Sequence, residues 1–214
     1  MVMYTMFVNL MKHSFPAILG ASAVAPICSI IDIGIVKFHY SGDMIGSIIK
    51  STNEFKIDNT SLLNFSIICS PLISTNFIKG HKKQIIVGTG ICVFLSIIKD
   101  ILILGKDVPM ATKMMFVARD SIANCPSLLF PGGMFRKQFA AIVGCQIPCT
   151  ILNSTAIDYH LFSCDKKKDK YMNKDTYNRI YNSFVNSYAV RVLRSFFSIG
   201  ASTGINYNMK KIIY

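Results

Sequence analysis

The chain reads as an all-α membrane protein, with six transmembrane helices in three pseudo-repeats of two helices. Three observations predict this. Hydrophobic residues are 51% of the 214 residues and charged residues only 16%, and mean hydropathy is +0.42. Charge falls in blocks, with long apolar stretches separated by Lys-rich segments. The apolar stretches also keep a threefold rhythm. The first, third and fifth each carry one acid near their end, Asp32, Asp100 and Asp158. Asp32 to Ile68 is 36 positions, and so is Asp158 to Arg194. Self-similarity at a fixed period is the mark of a repeat architecture. Charge in blocks is what a bilayer imposes, since a charge at its centre costs about 2.5–3.5 kcal/mol on insertion scales.

Six spans follow, at about 15–37, 62–79, 85–104, 111–131, 138–162 and 188–208. Each approaches the roughly 17–25 residues needed to cross a hydrocarbon core. The repeats run at about 8–84, 85–137 and 138–214, within a single transmembrane domain. Several spans contain Pro or Gly, among them Pro16, Pro26, Pro71, Pro126, Pro148, Gly200 and Gly204. Membrane helices tolerate these where neighbours satisfy the freed backbone groups. Gly20, Ala21, Ala25, Gly90, Ala140 and Gly144 line the starts of the odd spans, where small residues allow close helix approach. The N-terminal MVMYTMFVNLMKHSFPAILG lacks Arg and flows into the first span, which predicts an internal targeting signal rather than a presequence.

The net charge of +12 is placed for lipid. The basic residues sit in short loops beside apolar spans, as expected next to anionic headgroups, so no nucleic-acid partner is expected. Seven cysteines, an odd number, stand without a CxxC pair, which argues against a complete disulfide framework and against a metal site. Cys145 and Cys149 share one helix face, as small apolar residues do. His13, His39, His81 and His160 fall near span ends and read as structural. No Gly-rich phosphate loop, nucleophile elbow or HExxH occurs, so neither catalysis nor a cofactor is expected.

Four charges lie within or beside apolar spans: Arg119, Asp120, Arg191 and Arg194. A charge there faces a bundle interior or a water-filled cavity and marks a functional site by default. Two arginines can hold an anionic solute by charge-assisted hydrogen bonds. The structural alternative is that Arg119 pairs with Asp120 or Asp158 to hold the bundle together. The run Asp165-Lys166-Lys167-Lys168-Asp169-Lys170 reads as a solvated loop.

These residues resemble the mitochondrial carrier family, over roughly residues 15–214. Tyr40-Ser41-Gly42-Asp43-Met44-Ile45-Gly46 resembles the start of that family's surface helix. Phe116-Val117-Ala118-Arg119-Asp120 resembles the middle of its fourth helix, and Arg191-Val192-Leu193-Arg194 with Gly200, Gly204 and Tyr207 its sixth. The resemblance implies a mitochondrial-carrier-like bundle, multi-pass in the mitochondrial inner membrane, the outer membrane being the alternative. It implies substrate-contact positions at Arg119, Asp120 and Arg194, with Arg191 beside them, and at the uncharged Ile68 and Cys69. Asp32, Asp100 and Asp158 stand as gate or structural acids. Tyr40 and Gly42 would present a helix start to a membrane lipid phosphate such as cardiolipin's.

The departures are specific. Where the family's odd helices carry proline, then the acid, then a base, this chain has Ile30, Ile98 and Ala156 before the acids and Ile35, Ile103 and Leu161 after them. Lys37 is the base left to partner an acid of a neighbouring repeat. On the even helices, Tyr207-Asn208-Met209-Lys210-Lys211 keeps aromatic and base but has Asn for the acid. Phe77-Ile78-Lys79-Gly80-His81 loses the acid too, and span four keeps only Arg136. Asp100 to Arg119 spans only 19 positions, so the second repeat is expected to lack its surface helix. The expectation is a carrier of a small, carboxylate-bearing anionic solute. The alternative is a carrier-derived scaffold or subunit with a membrane-protein partner.

Overall fold

The computed structural model describes residues 2–78, 80–105, 107–129, 135–163 and 174–213. Lys79, Cys164 and the Asp165–Lys170 run lie outside the described residues, as do the side chains of His13 and His81. Among the described residues the chain is all helical, with no strand. The helices are α1 (Val2–Ser41), α2 (Met44–Asn53), α3 (Asn59–Phe77), α4 (His81–Leu104), α5 (Met110–Leu129), α6 (Phe135–Ser163), α7 (Lys174–Ser195) and α8 (Ser202–Ile213). A π-helical turn, Phe196–Ala201, joins α7 to α8 without a break.

These long helices overlap the six apolar spans read from the sequence. Three are both long and apolar enough to cross a membrane: Ser14–Ser41 of α1, Ile86–Leu104 of α4 and Arg136–Leu161 of α6. These are the odd spans. The even ones fall short for a visible reason: α5 carries Lys113, Arg119 and Asp120, α7 carries Arg179, Arg191 and Arg194, and α3 is rich in Ser and Asn.

Packing runs in a circle. α1 packs on α3, α3 on α4, α4 on α5, α5 on α6 and α6 on α7, and α8 returns to α1. None of the internal prolines, Pro16, Pro26, Pro71, Pro126 or Pro148, ends its helix. The ring closes at Gly20, where an added Cβ would stand 2.8 Å from the Ser202 carbonyl oxygen of α8. The close-packing expectation therefore holds at Gly20. It fails at Gly90 and Gly144, where an added Cβ would meet nothing within 4 Å.

The side chains are distributed inside out. Among the described residues, buried polar and charged side chains outnumber buried hydrophobic ones. Large apolar residues such as Phe15, Ile86, Phe94, Met114, Ile147 and Leu193 are exposed on the outer faces. Many buried hydroxyls are satisfied on their own helix, as in Ser29 donating to the Ala25 carbonyl at 2.9 Å and Ser187 to that of Ser183 at 2.6 Å. This local back-bonding lets serine sit inside a helix bundle without a partner from another helix.

Between α1 and α3 lies the short helix α2. Asp43 caps it by accepting from the Gly46 N–H at 3.0 Å. α2 lies against α1, where a Cβ on Gly34 would come within 2.9 Å of the Ile48 side chain. In the second repeat, α4 ends at Leu104 and α5 starts at Met110, too close for a surface helix.

Gly20→Val is expected to force α1 and α8 apart and to destabilise the protein by about 1–3 kcal/mol, the usual range for overpacking. Thermal unfolding of the detergent-purified protein checks this. Gly90→Ala, facing open space inside α4, should hold the midpoint or raise it, since alanine is the better helix former by about 0.8–1.0 kcal/mol.

Candidate functional site

The ring encloses a cavity of about 350 Å³, to which every long helix contributes side chains. Ile35, Val36, Ile103, Leu104, Phe116 and Ile157 form an apolar end. From there the lining runs past a belt of charges to Gln84 at the start of α4 and Lys210 near the end of α8.

Two ion clusters build the belt. In the first, Asp32 of α1 accepts from Lys99 Nζ at 2.7 Å and from Arg194 Nε and Nη2 at 3.1 and 3.0 Å. Asn64 of α3 completes it, accepting from Arg194 at 3.2 Å and donating to Ser29 at 3.0 Å. In the second, Arg119 of α5 donates to both Asp120 oxygens, at 2.8 and 2.9 Å, to Asp100 of α4 and to Asn153 of α6. Its guanidinium also lies 4.7 Å from the Phe116 ring centroid. Buried charges survive only when paired and hydrogen-bonded, and both clusters meet that condition.

The third acid sits outside the cavity. Asp158 of α6 accepts from Arg179 Nε and Nη2 of α7 at 2.7 and 3.2 Å. Near it, Ser183 shares a hydrogen bond with His39 at 3.3 Å and donates to Ser154 at 2.9 Å.

Of the residues singled out from sequence, Asp32, Ile68, Asp100, Arg119, Asp120, Arg191 and Arg194 all line the cavity. Cys69 does not. It is buried in an apolar cluster with Ala21, Cys28 and Leu72, between α1 and α3. Arg119 pairs with Asp100 and Asp120, not with Asp158. Lys37 does not reach a neighbouring repeat, because Glu54, just past α2, lies 2.5 Å from it. That hydrogen bond holds the exposed Glu54 carboxyl below the ordinary carboxylate range. At the positions read as lipid-binding, Tyr40 is exposed and Gly42 is a turn residue at φ +74°, and the Asp43 carboxylate caps the α2 N-terminus beside them. Lys211 stands over the Tyr207 ring, 4.5 Å from its centroid, while Lys210 turns to the cavity.

Arg191 differs from its neighbours. It is 9% exposed. Its Nε donates to Ser187 at 3.3 Å, but Nη2 has no hydrogen-bond partner.

The reading from sequence missed Lys99, Arg179, Asn64 and Asn153. Lys99 left a signal, as a second charge beside Asp100 in a run that is otherwise apolar. Asn64 and Asn153 left a weaker one, as amides within apolar spans. Arg179 sits in a polar stretch and left none. The six described cysteines are free, and no cluster of metal-ligating side chains occurs among the described residues. Comparison of the chain with protein families, curated proteins and solved structures gives no match.

Asp32→Ala would leave Lys99 and Arg194 buried without their counterion, at a cost of about 3–5 kcal/mol. A large fall in the unfolding midpoint, read by thermal scanning in detergent, is the expected outcome. Glu54→Gln breaks only an exposed pair and should leave the midpoint nearly unchanged.

Proposed function

We propose that this protein is a divergent carrier of the mitochondrial inner membrane that moves a small anionic solute through its central cavity. The observation that carries the reading is the inverted ring, apolar outside, with charged side chains from α1, α4, α5 and α7 converging on one internal cavity. A solute path needs this distribution, because charge inside a membrane is tolerated where it faces a cavity rather than lipid. The threefold placement of Asp32, Asp100 and Asp158, the surface helix α2 and the return of α8 to α1 support a carrier-like arrangement of six spans. The sign of the solute follows from the lining, in which five bases face three acids.

The positions that the carrier resemblance assigns to a gate are filled differently here. Asp32 takes its bases from α4 and α7, and Asp100 takes Arg119 from α5. Movement of a solute then requires these pairs to exchange partners as the helices shift. A second reading, a carrier-derived scaffold without transport, draws on the same pairs. Arg119 and Arg194 are neutralised by acids, as in a static polar core.

Reconstitution into liposomes separates the two. Saturable uptake of a carboxylate, phosphate, nucleotide or amino acid is expected, inhibited by other anions and indifferent to organic cations. Absence of uptake across that panel by folded protein would favour the scaffold.

A further inference from the structure

We propose that Arg191 is the anchor of the solute site and that it takes a small monocarboxylate; this deepens the transport reading and rests on it for its membrane arm. Four cations belong to the charge belt: Lys99, Arg119, Arg191 and Arg194. Three of them are committed, Lys99 and Arg194 to Asp32, and Arg119 to Asp100 and Asp120. Arg191 has no carboxylate within 4 Å among the described residues, although its side chain is buried and lines the cavity. A buried guanidinium with an unused N–H face is costly unless something anionic meets it.

Charge fixes the valence. Lys210, the fifth base of the lining, stands at the far end of the cavity, sixteen positions beyond Arg194 along one continuous helix. At the belt itself three acids face these four bases, an excess of one positive charge. One anionic group neutralises it, whereas a dianion would overshoot and a zwitterion would bring a cation with no unpaired acid to receive it. The shape of the donor fixes the class. A guanidinium presents a planar fork that matches a carboxylate bidentately. A cavity of about 350 Å³ lies at the small end of the range for ligand pockets. Gln146 and Ser195 supply polar lining, and Ile68 and Leu72 apolar lining, so the body of the ligand is short and of mixed polarity.

The full chain, purified in detergent, is scanned thermally with lactate, succinate, inorganic phosphate or choline chloride at matched ionic strength. Lactate is expected to raise the midpoint of the wild type more than succinate or phosphate, with no shift from choline. Arg191→Gln should abolish the lactate shift, and its midpoint without ligand should equal or exceed that of the wild type, because an unpaired buried charge has been removed. Arg191→Lys, which keeps the charge without the fork, should retain a weakened shift. An equal lactate shift in wild type and Arg191→Gln would overturn the assignment, as would a larger response to succinate, or no anion response from folded wild type. The liposome arm keeps the two readings apart. Arg191-dependent lactate stabilisation without uptake supports the anchor and removes the transport function. Uptake that Arg191→Gln leaves unchanged overturns the anchor and keeps the function.

Discussion

The carboxylate of Asp32 is the contact on which the rest of the arrangement depends. It joins α1 to α4 through Lys99 and to α7 through Arg194. These three helices are not consecutive, so no short loop sets their relation. Remove the carboxylate and two cations lose their partner in a place where solvation is poor. The geometry of the ring at that depth is therefore dictated by electrostatics as much as by side-chain packing. Asn64 extends the constraint to α3 by accepting from Arg194. The second cluster repeats the principle across α4, α5 and α6, with Arg119 as the shared centre.

Such a core inverts the usual logic of folding. In water, apolar burial drives assembly and polar contacts add specificity. Here the outer faces are apolar, and the interior is serine, asparagine, carboxylate and guanidinium. In the membrane setting proposed for this chain, van der Waals contact and hydrogen bonds take over as the cohesive terms. The Gly20–Ser202 approach supplies the first, and the Asp32 and Arg119 clusters supply the second.

The helical character and the approximate ends of α3, α4, α5 and α6 were legible because lengthy apolar runs broken by Lys-rich loops have few other solutions. But α1 and α7 begin at Val2 and Lys174, well before the apolar runs at about 15 and 188, because their first turns are polar or mixed. That Asp32, Asp100, Arg119 and Arg194 turn inward was legible because isolated charges in apolar runs are costly on an outer face. Their partners were not. Asp32 and Lys99 are separated by 67 positions, and which base an acid meets depends on the rotation and depth of two helices, quantities absent from a linear pattern. Lys37 shows the limit: it was the nearest unclaimed base by sequence, yet Glu54 lay closer once α2 folded back on α1. Arg191 and Arg194 lie three positions apart on one helical face, so spacing could not tell which was committed and which was free. Cys69, adjacent to Ile68, shows the same limit from the other side. One step along a helix turned it from the cavity into the packing against α1.

The π-helical turn at Phe196–Ala201 has a consequence for everything beyond it. A wide turn holds one residue more than an α-helical turn of the same rise, so it offsets the angular phase of the following segment by about 100°, the rotation of one residue in an α-helix. Ser202, Asn206 and Lys210 reach the cavity with that offset in place. Relaxing the turn to α-helical geometry with every residue kept would swing these three side chains toward the outer surface, whereas deleting one residue within it would leave them facing the cavity. The last stretch of the chain thus owes its inward orientation to a phase error kept in the helix before it.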